Sequence, residues 1–185
     1  VSATGTYSSV TLGTTGISEK FEGIAMDPAD NVYVTGSGNN YLRGLAAKYN
    51  SSLRLLWSKG IIDTTRRRTA LFSIILSSAG GVIINGVATG TGYSSITNLM
   101  MLNPATGALM GYKRFNCPAT PYVLKLIKDN AGNIIYSGYV DAGGSSQRGL
   151  IVKYNSSGVF QWSKVLDTLR MVSDIESDSY GNIYP

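Results

Sequence analysis

Short apolar runs recur along this chain, each meeting a small polar turn and continuing into a second run rich in β-branched and aromatic residues. "GIAM", "LFSIIL" and "VLKLI" lead into turns that are followed by "NVYVTG", "VIINGVATG" and "NIIYSGYV". Apolar runs this short, bounded by turn residues, predict strands, and each turn predicts an antiparallel hairpin. The hairpins repeat. Asp27, Ser77, Asp129 and Asp178 open the phrases "DPADNVYV", "SSAGGVII", "DNAGNIIY" and "DSYGNIYP", and successive starts lie 50, 52 and 49 residues apart. A gapped period near fifty is the signature of a repeat architecture.

The turn chemistry is the same in each copy. An Asp or Ser side chain at the start accepts backbone hydrogen bonds, and the fourth position calls for a left-handed residue. Gly80, Gly132 and Gly181 supply it, and Asp30 takes the place in the first copy. A second hairpin follows within each repeat, in "GLAAKYNSSLRLLWSKGI", "TNLMMLNPATGALMGYKRF" and "RGLIVKYNSSGVFQWSKVL". Four strands per repeat with no helical periodicity predict an all-β fold, a β-propeller-like array of about four antiparallel four-stranded blades in a single domain over 1–185. Blades are expected at about 22–69, 70–120 and 121–170, with a fourth assembled from 171–185 and 1–21. The expected core comprises Ile24, Val32, Val34, Leu45, Trp57, Ile83, Ile134, Ile151 and Trp162.

"GIAMDPADNVYVTG", "AAKYNSSLRLLWSK" and "IVKYNSSGVFQWSK" resemble the SBBP type of β-propeller repeat, in which an apolar strand leads through D-x-x-G-N to "hYVTG" and then to "KYN", a glycine and a tryptophan. The middle copy departs from that pattern, with Tyr112 near the tryptophan position. The resemblance implies an extracellular or cell-surface repeat protein without an assigned activity.

Residues 171–185 offer the Asp-turn hairpin without its later strands, and residues 1–21 offer later strands without that hairpin. Three arrangements follow from this: a self-closed four-bladed ring, a piece of a longer propeller, or a subunit completed by its neighbour. In the last, Val1, Ser2, Ala3, Ile183, Tyr184 and Pro185 are the candidate subunit contacts, because an unpaired strand edge is a template for another chain. Copies of the chain itself are then the first partner to expect, as a homo-oligomer or fibre.

Composition narrows the chemistry. The chain lacks histidine and has one cysteine, Cys117. That removes Ser-His-Asp and Cys-His catalysis, an internal disulfide, and any zinc site built from thiolates and imidazoles. No run is long and apolar enough for a membrane helix. Net charge is +5, with scattered basic residues, and no basic stripe interleaved with aromatics points to nucleic acid. A glycan or anionic polysaccharide is as good a partner to expect. Arg66, Arg67 and Arg68 read as a solvated connection, and "SDIESDS" is a weak calcium candidate with no D-x-D-x-D-G loop. "NSS" at Asn50 and Asn155 marks candidate glycosylation sites at hairpin tips, where the same residues are good turn formers. No cofactor or catalytic residue is expected. A non-enzymatic structural or adhesion scaffold, one that assembles by strand sharing, is the favoured reading; a carbohydrate-binding or carbohydrate-active monomer is the alternative.

Overall fold

The computed structural model describes residues 19–38, 43–62, 68–89, 95–114, 120–141 and 147–185. Arg66, Arg67, Cys117, Val1, Ser2 and Ala3 therefore lie outside the described residues. Every element among those described is a strand. The first sheet contains β1 (Glu19–Met26), β2 (Val32–Gly38), β3 (Arg43–Tyr49) and β4 (Leu55–Ile61). A second holds β5 (Arg68–Leu76), β6 (Val82–Thr89), β7 (Ser95–Leu102) and β8 (Leu109–Arg114). The third is built of β9 (Thr120–Lys128), β10 (Ile134–Asp141), β11 (Gln147–Tyr154) and β12 (Phe160–Leu166). A short hairpin of β13 (Glu176–Ser177) and β14 (Ile183–Tyr184) ends the chain. All pairings are antiparallel between sequence neighbours, so each sheet is a simple meander.

The predicted turns form as their chemistry requires. Asp27 Oδ1 accepts from the Ala29 and Asn31 amides, and both its carboxylate oxygens accept from Asn31 Nδ2. Asp129 and Asp178 repeat the pattern through Asn133 and Asn182. Gly80, Gly132 and Gly181 have φ of 81°, 78° and 85°, and Asp30 takes φ 58°, the left-handed conformation that closes each turn.

Below the turn, two repeats carry a feature that the period alone does not reveal. Lys48 Nζ lies 3.6 Å from Asp27 Oδ2, and Lys153 Nζ lies 2.9 Å from Asp129 Oδ2. In the second repeat the corresponding residues are Ser77 and Met101, so both charges are absent together. A partly buried ammonium without its carboxylate is costly, whereas replacing both partners is nearly neutral. Ser77 Oγ keeps the turn by accepting from the Gly81 amide at 2.9 Å.

Bulges repeat as well. The register of β1 on β2 shifts between Phe21 and Gly23, of β5 on β6 between Leu71 and Ser73, and of β9 on β10 between Ser137 and Gly138. Gly36 and Gly138 face these bulges, where an added Cβ would collide with the Lys20 and Tyr122 carbonyl oxygens. That close approach explains the glycine of "VTG" and "SGY".

The core lies between sheets rather than within one. Trp57, Ile83, Ile134 and Ile151 are buried as expected, and Val32, Val34 and Leu45 are half-buried. Ile24 and Trp162 depart from expectation and are exposed. They sit on the outward faces of the array, where a strand's apolar alternation is intact but no described neighbour covers it. In the second repeat Met101, the counterpart of Lys48, pairs with Gly111, so Tyr112 stands next to the tryptophan position.

Burial works against the ionised Asp27 carboxylate, but hydrogen bonds from Asn31, Tyr33 and Ala29 outweigh it and lower its pKa from 3.8 to about 2. A depressed carboxyl pKa stabilises the fold above the unfolded value, and that contribution is lost as pH falls through the folded one. Stability measured by urea titration is expected to decline between about pH 4 and pH 2, and to decline less steeply in Asp27→Asn. At neutral pH, Asp129→Ser alone is expected to cost roughly 2–3 kcal/mol by stranding Lys153. Adding Lys153→Met is expected to recover at least half of that loss; equal unfolding midpoints in the single and double variants would show that the ion pair contributes nothing.

Candidate subunit interface

Each sheet turns one face forward, toward the next sheet in sequence, and one face to the rear. Strand alternation fixes which residue goes where. Tyr33, Ala46 and Trp57 from the forward face of the first sheet pack with Leu71, Ile74, Val82 and Ile84 from the rear of the second. Ile83 and Leu99 then meet Leu126, Ile134, Tyr136 and Val152 of the third. Finally Ile127, Ile135 and Ile151 meet Val172, Ile175 and Ile183 around the terminal hairpin. One interface is thus used three times with equivalent residues.

At either end of the described series the equivalent residues are exposed. Ile24 occupies the rear-face position held by Ile74, Leu126 and Ile175, whose exposures are 4%, 2% and 1%, yet Ile24 is 69% exposed. Tyr184 occupies the forward-face position of Tyr33, Ile83 and Ile135, exposed by 1%, 4% and 0%, yet Tyr184 is 56% exposed. Of the candidate contacts, Ile183 faces inward in the last cluster, Tyr184 Oη donates to Asp178 Oδ2 at 2.9 Å, and Pro185 is exposed. These three lie together at one end.

The outer edge of each junction is closed by a turn. Trp57 Nε1 donates to the Pro104 carbonyl at 3.1 Å, and Lys48 Nζ donates to the same oxygen at 3.3 Å. Gly107, with φ 68°, lies so close to the Trp57 ring that a Cβ would overlap it. At the next junction Lys113 Nζ donates to the Gly158 carbonyl, so an ammonium does there what the indole does in the first. Trp162, equivalent to Trp57 in its pairing with Lys153, is 39% exposed, against 8% for Trp57. The repeat pattern places the two tryptophans alike and carries no trace of this difference. The difference is signalled instead by the "NPATG" turn that follows Trp57 and has no described counterpart beyond Trp162.

Asn50 and Asn155 stand at hairpin tips. Asn50 Oδ1 accepts from the Ser52 and Arg54 amides, and Asn155 Oδ1 accepts from those of Ser157 and Val159. Turn formation accounts for both residues. The first strands of the three sheets line an open cleft of about 560 Å³ together with Glu176. Of its charged lining residues, Glu22 pairs with Lys20 at 2.8 Å and Lys125 with Asp174 at 3.0 Å. Hydrogen bonds from Lys125 and the Ile175 amide hold the Asp174 carboxyl below its ordinary pKa. Among the described residues no group of three or more carboxylate or thiol side chains is placed to hold a metal ion, and no helix is long and apolar enough to cross a membrane.

No family model matches this chain, and no curated protein matches it. Among solved structures, the crystal structure of a eukaryotic initiation factor is similar over 80% of this chain and 33% of that one, at 8% identity and a TM-score of 0.48. A likeness that distant carries no argument here.

Trp57→Ala is expected to destabilise the chain by roughly 3 kcal/mol or more through the cavity and the lost indole hydrogen bond, and Trp162→Ala by about 1 kcal/mol or less. Thermal melts of the two variants side by side check this difference.

Proposed function

We propose that this chain is a non-enzymatic scaffold or adhesion module of the β-propeller type, working outside the cell or at its surface, whose end faces join copies into a larger assembly. The observation that carries this reading is the exposure of Ile24 and Tyr184 at positions that are buried in every other described copy. The rear face around Ile24 and the forward face around Tyr184 are two halves of an interface that the chain already builds internally, so they fit one another. Contacts between two different surfaces of one molecule are heterologous, and repeated without closure they generate a filament. The likeness of "DPADNVYVTG" and "KYNSSGVFQWSK" to SBBP repeats supports the propeller class and the location. Among the described residues Asp27, Asp129 and Asp178 are engaged in turn hydrogen bonds and Asp174 in an ion pair, which supports a structural use of these carboxylates.

One observation favours a second reading. The exposed Trp162 ring offers a flat apolar surface of the kind that stacks on sugars, which suits a carbohydrate-binding monomer. The two readings separate in solution. For the scaffold, sedimentation velocity is expected to show mass growing with concentration, and Ile24→Glu is expected to weaken association at least about tenfold by burying an unpaired charge at the junction. A wild-type chain that stays at 19.7 kDa at every concentration, and whose glycan binding is lost in Trp162→Ala, would replace the scaffold with the carbohydrate-binding reading.

A further inference from the structure

Charge is unevenly divided across each sheet. The third and fourth strands of the sheets, β3, β4, β7, β8, β11 and β12, contain no Asp or Glu. On β3 and β11 the basic residues are neutralised from elsewhere: Arg43 pairs with Glu19, Lys48 with Asp27, Arg148 with Asp167 and Lys153 with Asp129. Lys59, Lys113 and Lys164 on the outermost strands are exposed, and no ion pair joins them to a carboxylate among the described residues. They are one position repeated, because they stand opposite Ala46, Leu99 and Ile151, which are equivalent in β3, β7 and β11.

Aromatic rings stand across from two of these lysines. Cross-strand partners share a face, so Lys59, opposite Ala46, and Tyr112, opposite Met100, border the junction of the first and second sheets. Lys113, opposite Leu99, and Phe160, opposite Tyr154, border the junction of the second and third. Tyr112 and Phe160 are 59% and 55% exposed, although each lies on the side of its sheet that a neighbouring sheet covers further in. Phe160 is held edge-on against Tyr154, with ring centroids 5.8 Å apart. Each of these junctions therefore has an outer groove with an ammonium on one wall and an aromatic ring on the other.

We propose that the two grooves form a track for a linear anionic polysaccharide, held by Lys59 with Tyr112 and by Lys113 with Phe160. The proposal goes beyond self-assembly and does not need it, because both grooves lie between fully described sheets. An exposed ion pair contributes little alone, so one groove holds a single sugar acid weakly. A polymer that repeats its anionic group reaches the second groove as an intramolecular event, and the two weak contacts reinforce one another. The rings offer flat apolar area with little conformational freedom to lose, which suits the C–H face of a sugar. One ammonium per groove matches a polymer with one carboxylate in each repeating unit and hydroxyls between. A nucleic acid, with a phosphate at every nucleotide, calls for a denser basic track.

Biolayer interferometry on immobilised hyaluronate, which carries one carboxylate per disaccharide, tests the track, with neutral dextran and poly-dT as comparison surfaces. The full chain is expected to bind hyaluronate more tightly than either, and less tightly as salt is added. Lys59→Gln with Lys113→Gln is expected to weaken binding at least about tenfold, because both grooves lose their cation. Tyr112→Ala with Phe160→Ala is expected to weaken it at least about threefold while leaving its salt dependence unchanged. Lys20→Gln with Lys128→Gln removes the same charge away from the outer strands and is expected to leave affinity within about twofold of wild type. Equal losses in the two lysine pairs would reduce the binding to attraction by net charge and overturn the track. Tighter binding to poly-dT, loss of hyaluronate binding in Trp162→Ala with the groove variants unaffected, or no hyaluronate binding by the wild-type chain would each overturn it as well. Sedimentation velocity on the same wild-type protein reads self-association separately, so the track and the assembly can fail independently.

Discussion

Everything in this molecule depends on the fact that its sheets are apolar on both faces. A four-stranded meander with one wet face is self-sufficient when packed on a single partner, but here alternate residues on either side of β2, β6 and β10 are hydrophobic. Val82 and Ile84 point to the rear and Ile83 points forward, and all three are buried. Each sheet therefore needs a neighbour before and behind it. Stability in such an array is a sum over junctions, with little that an isolated repeat can contribute alone.

Local devices then make one junction resemble the next. A bulge at the same point in β1, β5 and β9 bends each first strand alike. Glycines opposite these bulges allow the close approach. The outer turn, seated on an indole or reached by a lysine, fixes the far edge. The functional reading arises where this series stops, at surfaces built by the same rules as the interior.

Much of this was legible in the sequence. Asp27, Asp129, Gly132 and Gly181 predict their own turns, because a carboxylate that accepts local amides and a left-handed glycine are properties of neighbouring residues. The period and the four strands per repeat follow from those turns. Exposure was not legible in the same way. Nothing near Ile24 distinguishes it from Ile74, and nothing near Trp162 distinguishes it from Trp57. Their burial is decided by a sheet some fifty residues away. Tyr112 stands beside the tryptophan position rather than on it because the middle turn, closed by Leu102 and Leu109, is one residue longer than those closed by Tyr49 and Leu55 and by Tyr154 and Phe160. Only one long-range contact left a local trace, in the joint loss of Asp and Lys at Ser77 and Met101.

That joint loss gives the array an uneven response to acid. The first and third sheets and the terminal hairpin are tied by carboxylates that must be ionised to hold their turns, while the middle sheet relies on a hydroxyl that does not titrate in that range. Protonation therefore weakens the turns of the first and third sheets and of the terminal hairpin and leaves the Ser77 turn as it was. Acid strain in such a molecule begins on either side of its middle sheet, and the hydroxyl turn is the part of the repeat that pH does not reach.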